Sequence, residues 1–96
     1  MRSITIFTAA WYPGHDTLMD VVEEARERLD GKDLNLDVVD VDDELTAAEE
    51  NHIITVPTAI LYKGDEERRR VSGALGLVEI LGLAGVRTRA RKVQRR

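Results

Sequence analysis

The chain has 96 residues, of which 43% are hydrophobic and 33% are charged, and it contains no cysteine. This composition is typical of a single folded domain and not of a disordered chain. The lack of cysteine excludes disulfide bonds, thiolate metal sites and a thiol nucleophile. No apolar run is long enough to cross a bilayer and no signal peptide is recognisable at the N-terminus, so the sequence predicts a cytoplasmic protein without a membrane partner.

The charge is distributed unevenly along the chain. Six of the 14 lysines and arginines lie in residues 86–96, which leaves eight in residues 1–85 together with all 18 acids, a net charge of −10 there. We expect residues 86–96 to form a flexible basic tail that is attracted to this acidic body. An alternative is contact with an acidic partner, or nonspecific nucleic-acid binding through Arg87–Arg96, a segment without an aromatic residue to stack on bases.

The first half of the chain predicts a β-α-β unit. Ser3–Thr8 is β-branched and almost continuously apolar, as in a buried strand. His15–Asp30 places five apolar residues on one helical face and ends at Gly31, a common helix stop. Those apolar residues are Leu18, Val21, Val22, Ala25 and Leu29. Leu34–Val41 alternates in polarity and predicts a second strand, parallel to the first.

A short helix is expected after the second strand. Asp42 and Asp43 are residue types that cap helix N-termini, and the helix should end near Glu50. Leu45 and Ala48 would face inward at this spacing. Ile53–Tyr62 then reads as a β segment that Pro57 interrupts, which favours an edge, a bulge or a cis turn at the start of the strand.

The last part of the chain predicts a hairpin and a helix. Thr58–Tyr62 and Glu67–Val71 flank a tight turn, and the three arginines in the second strand are typical of a sheet edge. Leu75–Leu83 is expected to be a short helix, with Leu75, Val78, Leu81 and Ala84 on its buried face. Residues 1–85 therefore form one α/β domain with a four-stranded mixed sheet, in the order β-α-β-(α)-β-β-α, with helices on both faces.

Two motifs in this order resemble thioredoxins and glutaredoxins. Trp11-Tyr12-Pro13-Gly14-His15 lies between the first strand and the first helix, where those proteins carry W-C-x-x-C. Thr55-Val56-Pro57-Thr58 is similar to their T-V-P segment, and this resemblance implies a thioredoxin-like fold with a cis Val56–Pro57 bond facing the site. The Lys63-Gly64-Asp65 turn is more similar to thioredoxins, whereas Thr8 and the T-V-P sequence are closer to glutaredoxins and mycoredoxins. The motifs are compatible with both the thioredoxin and the glutaredoxin branch of the family.

The departures from the family motif decide what chemistry is possible. By this resemblance, Tyr12 occupies the position of the nucleophilic cysteine and His15 that of the resolving cysteine. Thiol–disulfide exchange requires a thiolate that attacks sulfur, and neither phenol nor imidazole forms a mixed disulfide. The chain as written has no such activity. Two of the possibilities that remain are a binding domain that lacks redox activity and a cysteine-substituted form of a thiol–disulfide oxidoreductase involved in redox homeostasis.

The leading hypothesis is a binding module that takes an extended peptide or protein segment by strand addition at Val56–Pro57. The predicted groove consists of Trp11, Tyr12, Pro13, His15, Thr55, Val56 and Pro57. An alternative is a glutathione-linked or other non-thiol enzyme, in which the Tyr12 hydroxyl stabilises a bound thiolate or His15 acts as a general base. In a purely structural interpretation Tyr12 fills the space of the missing sulfur, and His15 is a surface or capping residue.

No metal is expected, and glutathione is the one cofactor considered. His15, Asp16 and His52 lie far apart in sequence, without the spacing of a transition-metal site. A second group of possible ligands follows the second strand and consists of Asp40, Asp42, Asp43 and Glu44. It lacks the central glycine and the final acid of a calcium-binding loop, so these side chains are interpreted as solvated strand-end acids.

Overall fold

The computed structural model describes residues 1–86. Its elements are, in order, β1 (Arg2–Thr8), α1 (His15–Arg28), β2 (Leu34–Asp40), α2 (Leu45–Glu50), β3 (Thr58–Lys63), β4 (Glu66–Ser72) and α3 (Leu77–Leu83). Every predicted element is present, and the predicted order is confirmed. The predicted basic tail lies, from Arg87 onward, outside the described residues. Within residues 1–86 no helix is both long and apolar enough to cross a membrane.

The four strands form one mixed sheet in the order β2-β1-β3-β4. β1 pairs with β2 in parallel, whereas β3 pairs antiparallel with β1 and with β4. The two most apolar strands are therefore central. β4 lies at an edge with only Val71 shielded from solvent, as its arginines predict, and a bulge interrupts its pairing near Leu61 and Tyr62.

The main core lies on the sheet face that α1 and α3 cover. Ile4 and Ile6 of β1 are completely buried there, and the two helices also contact each other. Because side chains alternate along a strand, the intervening Thr5 and Phe7 face the other side, where they line a groove together with Ala47 of α2 and Asn51, the residue that follows this helix. Helices thus lie on both faces. The core cluster comprises Ile4, Ile6, Leu18, Val22, Ala25, Leu29, Ala59, Leu61, Leu75, Ile80, Leu81, Leu83 and Ala84.

The start of α2 differs from the sequence prediction. Its N-cap residue is Glu44, and no side chain caps the helix, so Asp42 and Asp43 do not have the predicted capping role. Leu45, predicted to face inward, is 62% exposed, while Ala48 is buried as predicted. A helix of six residues has less than two turns, and only one of its side chains, that of Ala48, is buried.

The final helix is also shorter than predicted. It begins at Leu77 and not at Leu75, because Gly76 has an extended backbone and serves as its N-cap. The buried face contains Ile80 and Leu81, whereas Val78, predicted to be buried, is 50% exposed. Val86, which follows this helix, is partly buried against the core and donates a backbone hydrogen bond to Leu81.

Candidate functional site

The predicted site lies at one end of the sheet, where three segments meet. β1 and β2 are parallel, so both reach this end, and Val41 N–H donates to Thr8 O across 2.9 Å just beyond the strands. β3 runs the opposite way and begins at Thr58, which pairs with Phe7 near the end of β1. The loop after β1, the residues after β2 and the segment before β3 are therefore neighbours, as the resemblance implies.

The loop after β1 is a compact turn. Tyr12 N–H donates to Ala9 O across 3.0 Å, and His15 N–H donates to Tyr12 O across 2.9 Å. The Tyr12 ring lies over Gly14 so closely that a β-carbon at position 14 would be 3.0 Å from three of its atoms. A side chain at this position would push the ring away, which explains the glycine.

Two polar atoms at the base of this loop are buried without a hydrogen-bond partner within residues 1–86. They are His15 Nδ1, in the first residue of α1, and Thr8 Oγ1, in the last residue of β1. The side chain of His15 is half-buried, so it does not stand in open solvent. A general base must reach the proton that it removes. Because Nδ1 of His15 is buried, this nitrogen is poorly placed to act as one.

Trp11 is oriented by a contact with the residues after β2. Its indole Nε1–H donates to Asp42 Oδ2 across 2.8 Å, although the side chain remains 63% exposed. Asp42 is itself positioned by an Asx turn, since its backbone N–H donates to Asp40 Oδ1 across 2.8 Å. The indole is thereby held at the end of the sheet while most of the side chain remains exposed to solvent.

The segment before β3 is anchored at one end only. The Val56–Pro57 bond is cis, Pro57 is buried, and its carbonyl accepts a hydrogen bond from Gly73 N–H at 3.0 Å. Thr58 Oγ1 donates to Thr55 O across 2.7 Å. Among residues 1–86, by contrast, no backbone carbonyl accepts a hydrogen bond from the N–H of residues 54–56.

These segments border an apolar groove of about 380 Å³ between Trp11 and the segment before β3. Of the seven predicted groove residues, Trp11, Thr55 and Val56 line it. Tyr12, Pro13, His15 and Pro57 do not: Pro57 is buried beneath the segment, and the other three belong to the turn and the start of α1. The lining residues are Trp11, Val41, Leu45, Ala48, Glu49, Ile53, Ile54, Thr55 and Val56.

Sequence reasoning missed the second wall of the groove, which Leu45 and Ile54 form. Ile54 is 91% exposed, more than any other large hydrophobic side chain within residues 1–86. The sequence did contain an indication of this exposure. Because Pro57 prevents the strand from starting before Thr58, the apolar Ile54 lies outside any helix or strand. An apolar side chain on a loop that no element covers is a candidate contact residue.

A polar cluster fixes the far end of α2 to the sheet. Arg70 of β4 donates from Nη2 to Asn51 O at 2.9 Å, and its Nε and Nη2 donate to both carboxylate oxygens of Glu67. Tyr62 donates its hydroxyl hydrogen to Asn51 Oδ1. The hydrogen bond from Arg70 lowers the pKa of Glu67, whereas burial, followed by the charge of Glu67, raises the pKa of Tyr62.

The candidate metal ligands are not brought together. Within residues 1–86, no three histidine, aspartate or glutamate side chains lie close enough to hold a metal ion. Neither of the two sets of possible ligands therefore forms a metal site: not His15, Asp16 and His52, and not the acids from Asp40 to Glu44. Arg70 of β4 donates to the backbone carbonyl of His52 at 3.4 Å, which places His52 beside β4.

Comparison with solved structures identifies the fold. Thioredoxin-2, a component of the malaria parasite protein secretion machinery, superposes with a TM-score of 0.79 at 20% identity, over 88% of this chain and 82% of that one. The oxidised thioredoxin of Plasmodium falciparum gives 0.76 at 21% identity, over 88% and 79%. Thioredoxin O2 of Arabidopsis thaliana, in its oxidized state, gives 0.73 at 23%, over 88% and 73%. Comparison of the sequence with protein-family models and with curated proteins gave no match. The fold is thioredoxin-like, and the chain lacks the C-x-x-C motif.

Proposed function

We propose that this thioredoxin-fold chain, which has no cysteine, is a binding module that takes an extended segment of a partner protein in the groove between Trp11 and Val56. The distribution of exposed apolar side chains carries the proposal. Five large hydrophobic residues are exposed within residues 1–86, and three of them, Trp11, Leu45 and Ile54, border this one groove. A cluster of exposed apolar side chains around a concavity is typical of an interaction site.

The backbone beside the groove supports an extended partner. The N–H groups of residues 54–56 donate to no other backbone group within the described residues. Unpaired donors next to an apolar surface favour a segment that supplies carbonyl groups, as in strand addition. A peptide in that position can place alternate side chains in the groove, because side chains of an extended chain alternate between its two faces.

Trp11 provides the test, since it is the only tryptophan of the chain and lines the groove. A library of extended peptides is screened for binders, whose affinity is then measured through the change in tryptophan fluorescence. We expect Ile54→Ser to weaken peptide binding about tenfold. The free energy of unfolding of this variant should differ from that of the unsubstituted chain by no more than about 0.5 kcal/mol, because the Ile54 side chain is exposed. Val78→Ser, which removes an exposed apolar side chain from α3 outside the groove, is the matched control. An equal loss of peptide affinity in both variants, or a screen that finds no binding peptide, contradicts the proposal.

A second candidate is that the chain is a cysteine-substituted form of a thiol–disulfide oxidoreductase, a possibility that the similarity to oxidised thioredoxins supports. As written, the chain cannot form a mixed disulfide, because it has no thiol. Insulin reduction and glutathione-disulfide assays should therefore show no turnover. Turnover in either assay would contradict the statement that the chain is redox-inactive.

The glutathione-linked alternative depends on Tyr12. Its ring lies against Gly14, immediately before α1, where a helix N-terminus favours a bound anion. Titration of glutathione into the protein and into Tyr12→Phe tests this function, because the substitution removes the hydroxyl and keeps the ring. Equal affinity of the two proteins excludes a role for the phenol.

A further inference from the structure

We infer that the partner segment is cationic as well as apolar, an inference that rests on the binding function proposed above. The groove belongs to the most acidic part of the molecule. Residues 40–56, which supply eight of the nine lining residues (all except Trp11), contain six acids and no lysine or arginine. Those acids are Asp40, Asp42, Asp43, Glu44, Glu49 and Glu50.

The structure places two of these acids, Asp42 and Glu49, at the walls of the groove, and Glu44 lies next to them in the chain. Glu49 is itself a lining residue, and Glu44 directly precedes the lining residue Leu45. Asp42 contacts the opposite wall through its hydrogen bond with Trp11. All three acidic side chains are exposed. An apolar groove with acids at both walls attracts a segment whose apolar side chains alternate with lysine or arginine.

No basic side chain within residues 1–86 lines the groove to offset these acids. Arg70 is the guanidinium that reaches the end of α2, but it donates to the carbonyl of Asn51 and to both carboxylate oxygens of Glu67. Its charge is therefore already matched by Glu67 on its own strand. An acidic segment in the groove would meet repulsion from the rim without a compensating cation, and this repulsion gives specificity.

The test compares three synthetic peptides with identical alternating valines and with lysine, serine or glutamate at the intervening positions. Affinity for the full chain is measured by Trp11 fluorescence at low and at physiological ionic strength. We expect the lysine peptide to bind at least about tenfold more tightly than the glutamate peptide at low salt, and the difference to shrink as salt screens the rim.

Charge substitutions distinguish the effect of the acids at the rim of the groove from the effect of the net charge of the domain. The triple variant Asp42→Asn, Glu44→Gln, Glu49→Gln should remove most of the preference for lysine, and Asp42→Asn keeps an acceptor for the indole. The control Glu27→Gln, Asp30→Asn, Asp33→Asn changes the net charge equally at the end of α1 and the loop after it, and should keep the preference. Equal effects of the two triple variants overturn the rim assignment.

The remaining outcomes are also decisive. If the serine or glutamate peptide binds as tightly as the lysine peptide at low salt, the groove binds peptides but does not select cations, so this inference fails and the proposed function stands. If no peptide binds, the proposed function fails. A peptide with the sequence of residues 87–96 is added as a competitor. If it fills the groove at least as tightly as the lysine peptide, the occupant is this chain's own basic segment, and the inference of a separate partner is wrong.

Discussion

The Trp11 side chain depends on a single hydrogen bond for its orientation. Asp42 accepts that bond, and both residues are exposed, so the bond contributes little to global stability. We predict that Asp42→Ala increases quenching of Trp11 fluorescence by acrylamide and lowers its fluorescence anisotropy. The free energy of unfolding should change by less than about 1 kcal/mol.

The neighbouring Asp43→Ala is the control for this prediction, because it removes the same charge without touching the indole. Both variants lower the negative charge of the loop by one. A similar gain in quenching in both variants would show that the loop charge, and not the hydrogen bond to Asp42, governs the environment of the indole.

Tyr62 has a raised pKa because burial, and then the charge of Glu67, disfavours the phenolate, while the charge of Arg70 acts in the opposite direction. In Tyr12→Phe only Tyr62 remains to titrate, since the chain has two tyrosines. We predict that its absorbance titration has a midpoint above the ordinary tyrosine value of about 10. The neutral form stabilises the fold fully below that ordinary value, and its contribution is lost as the pH rises through the higher folded-state pKa. A midpoint at or below the value in the unfolded chain contradicts this prediction.

Residue-level predictions from the sequence succeeded where a periodic pattern was long and failed where it was short. The apolar stripe of α1 gave Leu18, Val22 and Ala25 correctly, because it extends over nearly four turns. Leu45 and Val78 were assigned to buried faces from only two or four spaced residues. Such short patterns do not show where a helix begins, and a shift of one or two residues turns a buried side chain to solvent.

At the level of elements, the attachment of α2 to β4 determines one wall of the groove. Arg70 donates to the carbonyls of Asn51 and His52 at the end of this short helix, directly before the segment that carries Ile54. We predict that Arg70→Met lowers stability by about 1 kcal/mol and increases hydrogen exchange in residues 45–56. Arg68→Met, which removes an exposed arginine paired with Glu66 on the same strand, should leave exchange in α2 unchanged.

The same attachment has a defined pH dependence. The hydrogen bond from Arg70, its largest cause, lowers the pKa of Glu67, so the ionised carboxylate stabilises the folded state. That stabilisation is fully present above the ordinary glutamate pKa of about 4.3 and is lost as the pH falls through the lowered folded-state pKa. Glu67→Gln should be less stable than the unsubstituted chain at neutral pH, by at most about 1 kcal/mol because the pair is exposed. The difference should disappear in acid; a constant difference across this range would exclude the carboxylate charge as its cause.

The elements that build the site were predictable, whereas the groove between them was not. The positions of Trp11 and Pro57 followed from their place in the strand order and from the resemblance to thioredoxins. The wall that Leu45 and Ile54 form depends on the tertiary position of a six-residue helix and an irregular segment, and neither has a periodicity that a sequence pattern could reveal.

At the level of the whole molecule, the scaffold should still support the chemistry that its residues lack. Positions 12 and 15 are joined by a backbone turn at the start of α1, where a helix N-terminus stabilises a thiolate. We predict that Tyr12→Cys/His15→Cys forms an intramolecular disulfide and equilibrates reversibly with glutathione redox buffers. Tyr12→Ser/His15→Ser is the control for folding, and a folded double-cysteine variant that forms no disulfide would contradict the alignment of these positions with the C-x-x-C motif.

Arg2 also ties the two ends of the described chain together, since its guanidinium donates to Ala84 O across 3.1 Å. This contact lies at the start of β1, and the groove lies beyond the other end of that strand, roughly 20 Å away for seven residues of extended chain. A tether attached near either end of residues 1–86 would therefore leave the groove unobstructed. The domain can be presented on a surface or joined to another protein with its apolar, acid-rimmed end pointing outward, which keeps that end accessible for the binding function proposed above.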